Sequence, residues 1–521
     1  MVISFFDDFQ KVSVKFIRSS PTRLELALIG SCIVMPFYTR MSLTRPLSLS
    51  AALLLCFVST SDSALTSNAA DVLPPPPLEF SSAFIAEQGA PTSADAGMMT
   101  LQANGKNKFG KSNPTLQLLP QDKGNESPAC LDGSPYGLYF SPAVNASNNK
   151  WTIWLKGICS TVLMMMRMMM MMMTLFYDHG NPHPHSTSLM TCAGGGWCYN
   201  ETLCYKRSKT SLGSSHYFPK ETECTCMNVL EDGTMDDCNC LFLPYGDGAS
   251  FSGYRADPWP VPGSEPNASL YFRGIKNLDA SLDFAFAHGL NNATEFVLTG
   301  SSAGGLSTFL HADRVAARVQ AEAPNCERIT AAPVVGFFLD HDNFNDDRNN
   351  YTAWMAYIYS MQNLSFAADG GLTEKCQQLY SSDDAYYCFM SPHMQQVVET
   401  PFFVFNSRFD FWQINNILQL RKWNTTVEMD AIVQYGADFL KEFQPMLSEE
   451  KNGAAITTCI CHGCEWDQLM IGNMSTYEHY ADWFYGKTKG TAAIHIDDRK
   501  PNGGGNITLK SCYPFPWSGK Q

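Results

Sequence analysis

The amino-acid sequence predicts an α/β fold, with a central, mostly parallel sheet flanked by helices and stabilised by disulfides. Three observations point there. The run Phe296-Val-Leu-Thr is apolar and β-rich, breaks at Gly300-Ser-Ser-Ala-Gly304, and passes into a helix-like stretch from Leu306 to Val319. A second buried-strand pattern, Pro401-Phe-Phe-Val-Phe-Asn406, leads to Asp410. An earlier alternating run, Trp151-Thr-Ile-Trp-Leu155, ends in Lys156-Gly157. With 45% apolar residues in a chain of 521, there is enough to fill the core of a large domain.

Charge narrows the class of partner. Acidic residues number 50 against 36 Lys and Arg, a net charge of −14, whereas a nucleic-acid binder needs a basic surface. Only 17% of residues are charged, while Pro (29), Gly (37) and aromatics (12%) are plentiful. Neither a long disordered chain nor a coiled coil has that composition.

From the amino end, residues 1–40 read as a non-native or extended leader, because a signal-peptide pattern begins only at Met41. There a short basic stretch precedes the apolar run Leu47 to Val58, and a small-residue cleavage site follows at Ser63-Ala64. Residues 41–64 are the expected signal peptide, and the apolar run is too short to span a bilayer comfortably, so no stable membrane span is expected. A signal-anchor that also uses the patch Leu24 to Val34 is the alternative. Residues 65–128, with prolines at 74–77, read as a linker and variable segment, and 129–521 as one folded domain.

One interval does not fit that domain. Leu163 to Met173 contains nine methionines and one arginine, which no soluble core needs. Trp151 to Gly157 continues naturally into Gly195-Gly196-Trp197-Cys198, so residues 158–194 read as an insertion or a translated intron. A Met-rich binding loop is the other reading.

Eighteen cysteines and ten Asn-x-Ser/Thr sequons, at Asn125, Asn145, Asn200, Asn267, Asn292, Asn350, Asn363, Asn424, Asn473 and Asn506, fit a glycosylated protein of the secretory pathway. Setting aside Cys32, Cys56, Cys159 and Cys192 of the leader and insertion leaves fourteen, an even number that suits a complete disulfide set. The pairs Cys224/Cys226 and Cys238/Cys240 and the cluster Cys459, Cys461, His462, Cys464 also admit a metal reading. Their spacing and an oxidising compartment favour disulfides.

The strand–Gly-x-Ser-x-Gly–helix context is what a nucleophile elbow requires, and makes the fold α/β-hydrolase-like. Ser302 is the expected nucleophile, lifted off the sheet by a turn too tight for a Cβ at Gly300 or Gly304. In this class an acid and then a histidine follow the serine along the chain. Asp410, just past a strand, suits the acid. His462, His479 and His495 all remain for the base, with His462 preferred because flanking cysteines give rigid support. An oxyanion hole needs backbone N–H groups from Ala303 and from an earlier Gly-rich loop, which Gly196 and Trp197 supply once the insertion is set aside.

Together these stretches resemble the pectin acetylesterase/Notum family of secreted carboxylesterases. The matching residues are Cys130-Leu-Asp-Gly-Ser-Pro, Gly195-Gly-Trp-Cys198, Asp247-Gly-Ala-Ser-Phe, Gly300-Ser-Ser-Ala-Gly-Gly, Gly336-Phe-Phe-Leu-Asp340, Asp410-Phe-Trp-Gln-Ile and Cys459-Ile-Cys-His462. The resemblance implies Ser302 as nucleophile, Asp410 as orienting acid, His462 as base, and Gly196, Trp197 and Ala303 as oxyanion donors. It departs at Ser301, where members usually carry Cys, and at Gly463, which separates the histidine from Cys464. The implied enzyme is a secreted serine esterase, extracellular or in the cell wall, monomeric and without metal or organic cofactor. It would release O-acetyl groups from a polysaccharide, pectin by analogy, although −14 does not suit tight binding of a polyanion. A Notum-like removal of a fatty acyl group from a protein, and an inactive glycan-binding scaffold, are the alternatives.

Overall fold

Nine strands form the central sheet of the computed structural model. The structure describes residues 112–157, 196–263, 268–345, 348–366, 369–420, 423, 425–464 and 466–497, with three short strands near the amino end. In chain order the sheet strands are β1 (Leu116–Leu118), β2 (Gly137–Ser141), β3 (Lys150–Leu155), β4 (Asn239–Leu243), β5 (Glu295–Ser301), β6 (Arg328–Val334), β7 (Phe403–Ser407), β8 (Gly453–Thr457) and β9 (Ile494–Ile496). They lie side by side as β9-β8-β7-β6-β5-β3-β4-β2-β1. Every neighbouring pair from β9 to β4 is parallel, and the β4–β2 and β2–β1 pairs are antiparallel.

That order makes β3 a switch point. The chain leaves β3 for β4 on one side and later returns to place β5 on the other. In open parallel sheets such a crevice, at the carboxyl ends of the strands, is where ligands bind. The helices that matter to the site are α1 (Glu201–Arg207), α2 (Gly274–Ala287), α3 (Ala303–Glu322), α4 (Asn350–Gln362), α5 (Phe411–Asn416), α6 (Thr426–Glu442) and α7 (Thr476–Phe484).

Both faces of the sheet are covered, which is why its middle strands are apolar without a break. All five residues of β7 and of β8 are buried. Along β5, Phe296 and Leu298 pack with Leu278, Leu282 and Phe309 of α2 and α3, whereas Val297 faces the opposite core with Phe405 and Tyr480 of α7. The closest approaches lie where the end of β3 meets the start of α3 and the end of β5. A Cβ added to Gly304 would stand 2.0 Å from the Leu155 carbonyl oxygen, and one on Gly157 would stand 1.6 Å from that of Ser301. Only glycine lets helix and sheet meet so closely.

Disulfides join Cys198–Cys204, Cys224–Cys240, Cys226–Cys238, Cys376–Cys388 and Cys461–Cys464, and Cys459 is disulfide-bonded as well. Both Cys-x-Cys pairs are thus used in a nested clasp at the start of β4. The even count of fourteen misleads in one respect: Cys130 and Cys326 are free thiols. Cys130 is fully buried against the backbone of Gly246, where a thiol packs as a small apolar side chain. A second difference concerns the segment expected to end at residue 128. Residues 116–118 of it are the edge strand β1, bonded to β2.

Near the amino end, Val2–Ser4 pairs antiparallel with Ser13–Ser20, and that strand with Arg23–Leu28. The expected signal peptide, the proline run and the 158–194 interval lie outside the described residues, as do Asn267, Asn424 and Asn506.

Candidate active site

Ser302 occupies the single residue between β5 and α3, at φ 59° and ψ −123°. Its N–H donates to the Val334 carbonyl at 2.9 Å, which ties the turn to the end of β6. Gly300 and Gly304 crowd against each other and against Leu155, so the turn has no room for side chains on either flank. Behind the serine, Ala303 begins α3, and its N–H has no carbonyl four residues earlier to bond.

The loop after β7 supplies Asp410 and the loop after β8 supplies His462. These strands pair in parallel, Ser407 opposite Thr457, so their following loops emerge side by side. The loops are also stitched together. Arg408 N–H donates to the Thr457 carbonyl at 3.1 Å, Phe411 N–H to that of Cys461 at 3.3 Å, and the Ser407 hydroxyl to that of Cys459. Asp410 is completely buried and caps α5, its Oδ1 accepting the Gln413 N–H at 3.0 Å. Its Oδ2 lies 2.7 Å from His462 Nδ1, and His462 Nε2 lies 2.7 Å from Ser302 Oγ. A carboxylate only accepts, so Nδ1 carries the proton and Nε2 is left to accept from the serine hydroxyl. The Cys461–Cys464 disulfide brackets the histidine.

The other two candidate bases are elsewhere. His479 of α7 and His495 of β9 stack on one another at 3.6 Å, and His479 Nε2 bonds the Ile471 carbonyl at 3.0 Å. Their contacts pack a helix on the sheet edge.

Gly196 and Trp197 enter beside the serine turn. The Gly196 carbonyl accepts from the Arg207 guanidinium, and the Trp197 indole N–H donates to Ser250 Oγ at 2.8 Å. Ser250 Oγ in turn donates to the Ala303 carbonyl at 2.8 Å. The Cys198–Cys204 disulfide and the Asn200 cap fold α1 back on this loop, which is what returns Arg207 to Gly196. Asp247 folds the neighbouring loop that carries Ser250, with Oδ2 accepting the N–H groups of Ala249 and Phe251 at 3.0 and 2.8 Å. Burial pushes its carboxyl up to about 7.

A wall of rings stands over the site. Trp197 packs edge-on against Phe338, Trp412 and Tyr351 at 5.0, 5.6 and 5.8 Å, and Phe338 and Trp412 lie 6.1 and 6.2 Å from the His462 ring.

A family model described as pectinacetylesterase matches residues 173–502, well over half of the chain. The chain belongs to the pectinacetylesterase family. Its relatives include pectin acetylesterase 11 of Arabidopsis thaliana, 24% identical over 336 residues, an alignment that covers 59% of this chain and 81% of the relative. Pectin acetylesterase 5 of the same plant is 27% identical over 340 residues, covering 60% and 75%. The palmitoleoyl-protein carboxylesterase NOTUM of Homo sapiens is 23% identical over 296 residues, covering 56% and 50%. Among solved structures, the Wnt deacylase Notum from Drosophila aligns with a TM-score of 0.57 at 19% identity, covering 74% of this chain and 97% of that one. The α/β-hydrolase-like fold is shared.

This pectinacetylesterase-family protein is therefore a carboxylic ester hydrolase, and its disulfides fit an oxidising, secretory compartment. Sequence reasoning named Ser302, Asp410, His462, Gly196, Trp197 and Ala303, and the structure brings all six together. It missed Arg207, Ser250 and Gln413. The Asp247–Phe251 stretch carries Ser250 inside a family motif, but no local pattern gives its hydroxyl a task. Gln413 Oε1 accepts from Leu339 N–H and Tyr435 Oη–H at 3.0 and 2.9 Å, and so braces Asp410 from α5, a task that no local pattern in Phe411-Trp-Gln-Ile assigns to it.

Proposed function

We propose that the protein is a secreted serine carboxylesterase that hydrolyses O-acetyl esters of a polysaccharide, pectin by its family. The observation that carries this reading is the continuous chain from Ser302 Oγ through His462 to Asp410, with both links at 2.7 Å. Ser302 attacks the ester carbonyl carbon while His462 Nε2 takes its proton. Asp410 stays ionised and stabilises the imidazolium. The N–H groups of Ala303, Gly196 and Trp197 receive the tetrahedral oxyanion. Collapse breaks the bond to the sugar oxygen, which leaves with the proton from His462. Water then attacks the acyl-enzyme, with His462 again as base, and acetate departs.

Rings in mutual contact beside His462 favour a short acyl group over a long one. The same apolar wall, with the NOTUM relatives, is what a fatty-acyl substrate on a protein has in its support. Acetate release from acetylated pectin is the test, with Ser302→Ala as control and octanoyl esters for comparison. Serine-dependent acetate release bears the proposal out. Preference for octanoyl esters turns it to a lipid deacylase, and failure of Ser302 to react with a fluorophosphonate leaves a binding scaffold.

A further inference from the structure

The geometry points to Arg207 and Ser250 as positioning residues of the oxyanion hole, which aim the Gly196–Trp197 peptide from two sides. The inference rests on the esterase reading above.

Gly196 C=O and Trp197 N–H belong to one planar peptide, and in a trans peptide they point in opposite directions. A donor fixed on the carbonyl therefore fixes where the N–H is aimed. Arg207 supplies that donor from a fully enclosed position: its side chain is 7% exposed, and its Nε has no hydrogen-bond partner. Burying a guanidinium without a carboxylate bonded to it is costly, and packing alone gives no reason for it. Bound to the carbonyl, the cation also polarises the peptide, which makes its N–H a stronger donor to a developing oxyanion.

Ser250 holds the same peptide through the side chain. An indole N–H can only donate and a carbonyl can only accept, so the Ser250 hydroxyl proton has a single orientation, from Trp197 towards Ala303. The bridge thus connects the two segments that carry the oxyanion donors, and sets their separation. Ser250 is fully buried and sits at φ 54°, with its own N–H donated to Tyr245 Oη at 2.9 Å.

The test is kinetics of Arg207→Lys, Ser250→Ala and Trp197→Phe on acetylated pectin and on 4-nitrophenyl acetate, beside inhibition by a boronic acid that mimics the tetrahedral intermediate. Loss of one oxyanion donor costs about 10²-fold or more, and misaiming one should cost about tenfold or more. The expected result is a fall in kcat of that size on both esters, with KM within about twofold and boronate affinity falling in parallel with kcat. Ser250→Cys, which keeps the shape with a weaker donor and acceptor, should fall between Ser250→Ala and the wild type. Folded Arg207→Lys and Ser250→Ala enzymes with wild-type kcat would overturn the inference, as would a rise in KM with kcat unchanged. If those two variants do not fold, Trp197→Phe decides, because it keeps an aromatic ring in that wall and removes the indole donor. A wild-type enzyme without Ser302-dependent hydrolysis would instead refute the esterase reading itself.

Discussion

At Ser302 the backbone holds φ 59° and ψ −123°, a conformation that costs a residue with a Cβ about 1–3 kcal/mol. Function and stability conflict at that point. Ser302→Gly is expected to be more stable than Ser302→Ala by about 1 kcal/mol, even after the extra chain entropy of glycine, and denaturant midpoints measure the difference. His495 has the opposite relation to its surroundings. Burial, and then the neighbouring His479, lower its pKa from the usual 6.5 to about 4. The unfolded chain binds a proton below pH 6.5 that the folded form refuses until about pH 4, so stability is lost as pH falls through that window. His495→Gln should show a shallower decline of unfolding midpoint from pH 6.5 to 4 than the wild type. Legibility also differs residue by residue. Ser302 and Asp410 follow from local strand patterns. Flanking cysteines favour His462 over His479 and His495, but the choice is settled by the pairing of β7 with β8, a fact of the fold, or by resemblance to a family. Arg207 was invisible because its partner is a backbone oxygen, which no motif records.

The elements meet tightly where α3 crosses β3. A methyl at Gly304 would lie 2.0 Å from the Leu155 oxygen, and neither backbone can retreat without breaking the sheet. Gly304→Ala is expected to cost more than about 3 kcal/mol, read as loss of soluble protein or of the cooperative melt. The same junction bears on the 158–194 interval. On one side of it Gly157 abuts Ser301 and Gly304, and on the other Trp197 is bridged through Ser250 to Ala303. Both flanks reach the serine turn, so a protein without residues 158–194 is expected to fold with at least the full-length melting temperature and higher esterase turnover. Parallel β-strands and the α3 helix were readable from apolar runs and the glycine turn. The edge strand β1 was not, because three residues between Pro114 and Pro120 carry too little periodicity to stand out.

Over the whole molecule, strand order was the least legible property. Apolar runs mark strands, but nothing local says that β3 lies between β4 and β5. Surface features were easier to anticipate than to rank. Of the sequons, Asn125, Asn145, Asn292 and Asn473 are exposed. Asn200 is half-buried and caps α1, and Asn363, also half-buried, donates Nδ2 to the Tyr254 carbonyl at 3.1 Å. Glycopeptide mass spectrometry of protein from a eukaryotic host should find higher occupancy at the four exposed sites than at Asn200 and Asn363.

His462 stands 160 residues from Ser302 and 52 from Asp410 along the chain. Parallel strands cannot pair until the long crossovers between them have closed, so the three groups meet only once β5 to β8 are aligned. Hydrolysis is then a clock for assembly: chains that have collapsed and regained their helices stay silent, and turnover starts with the last strand to dock.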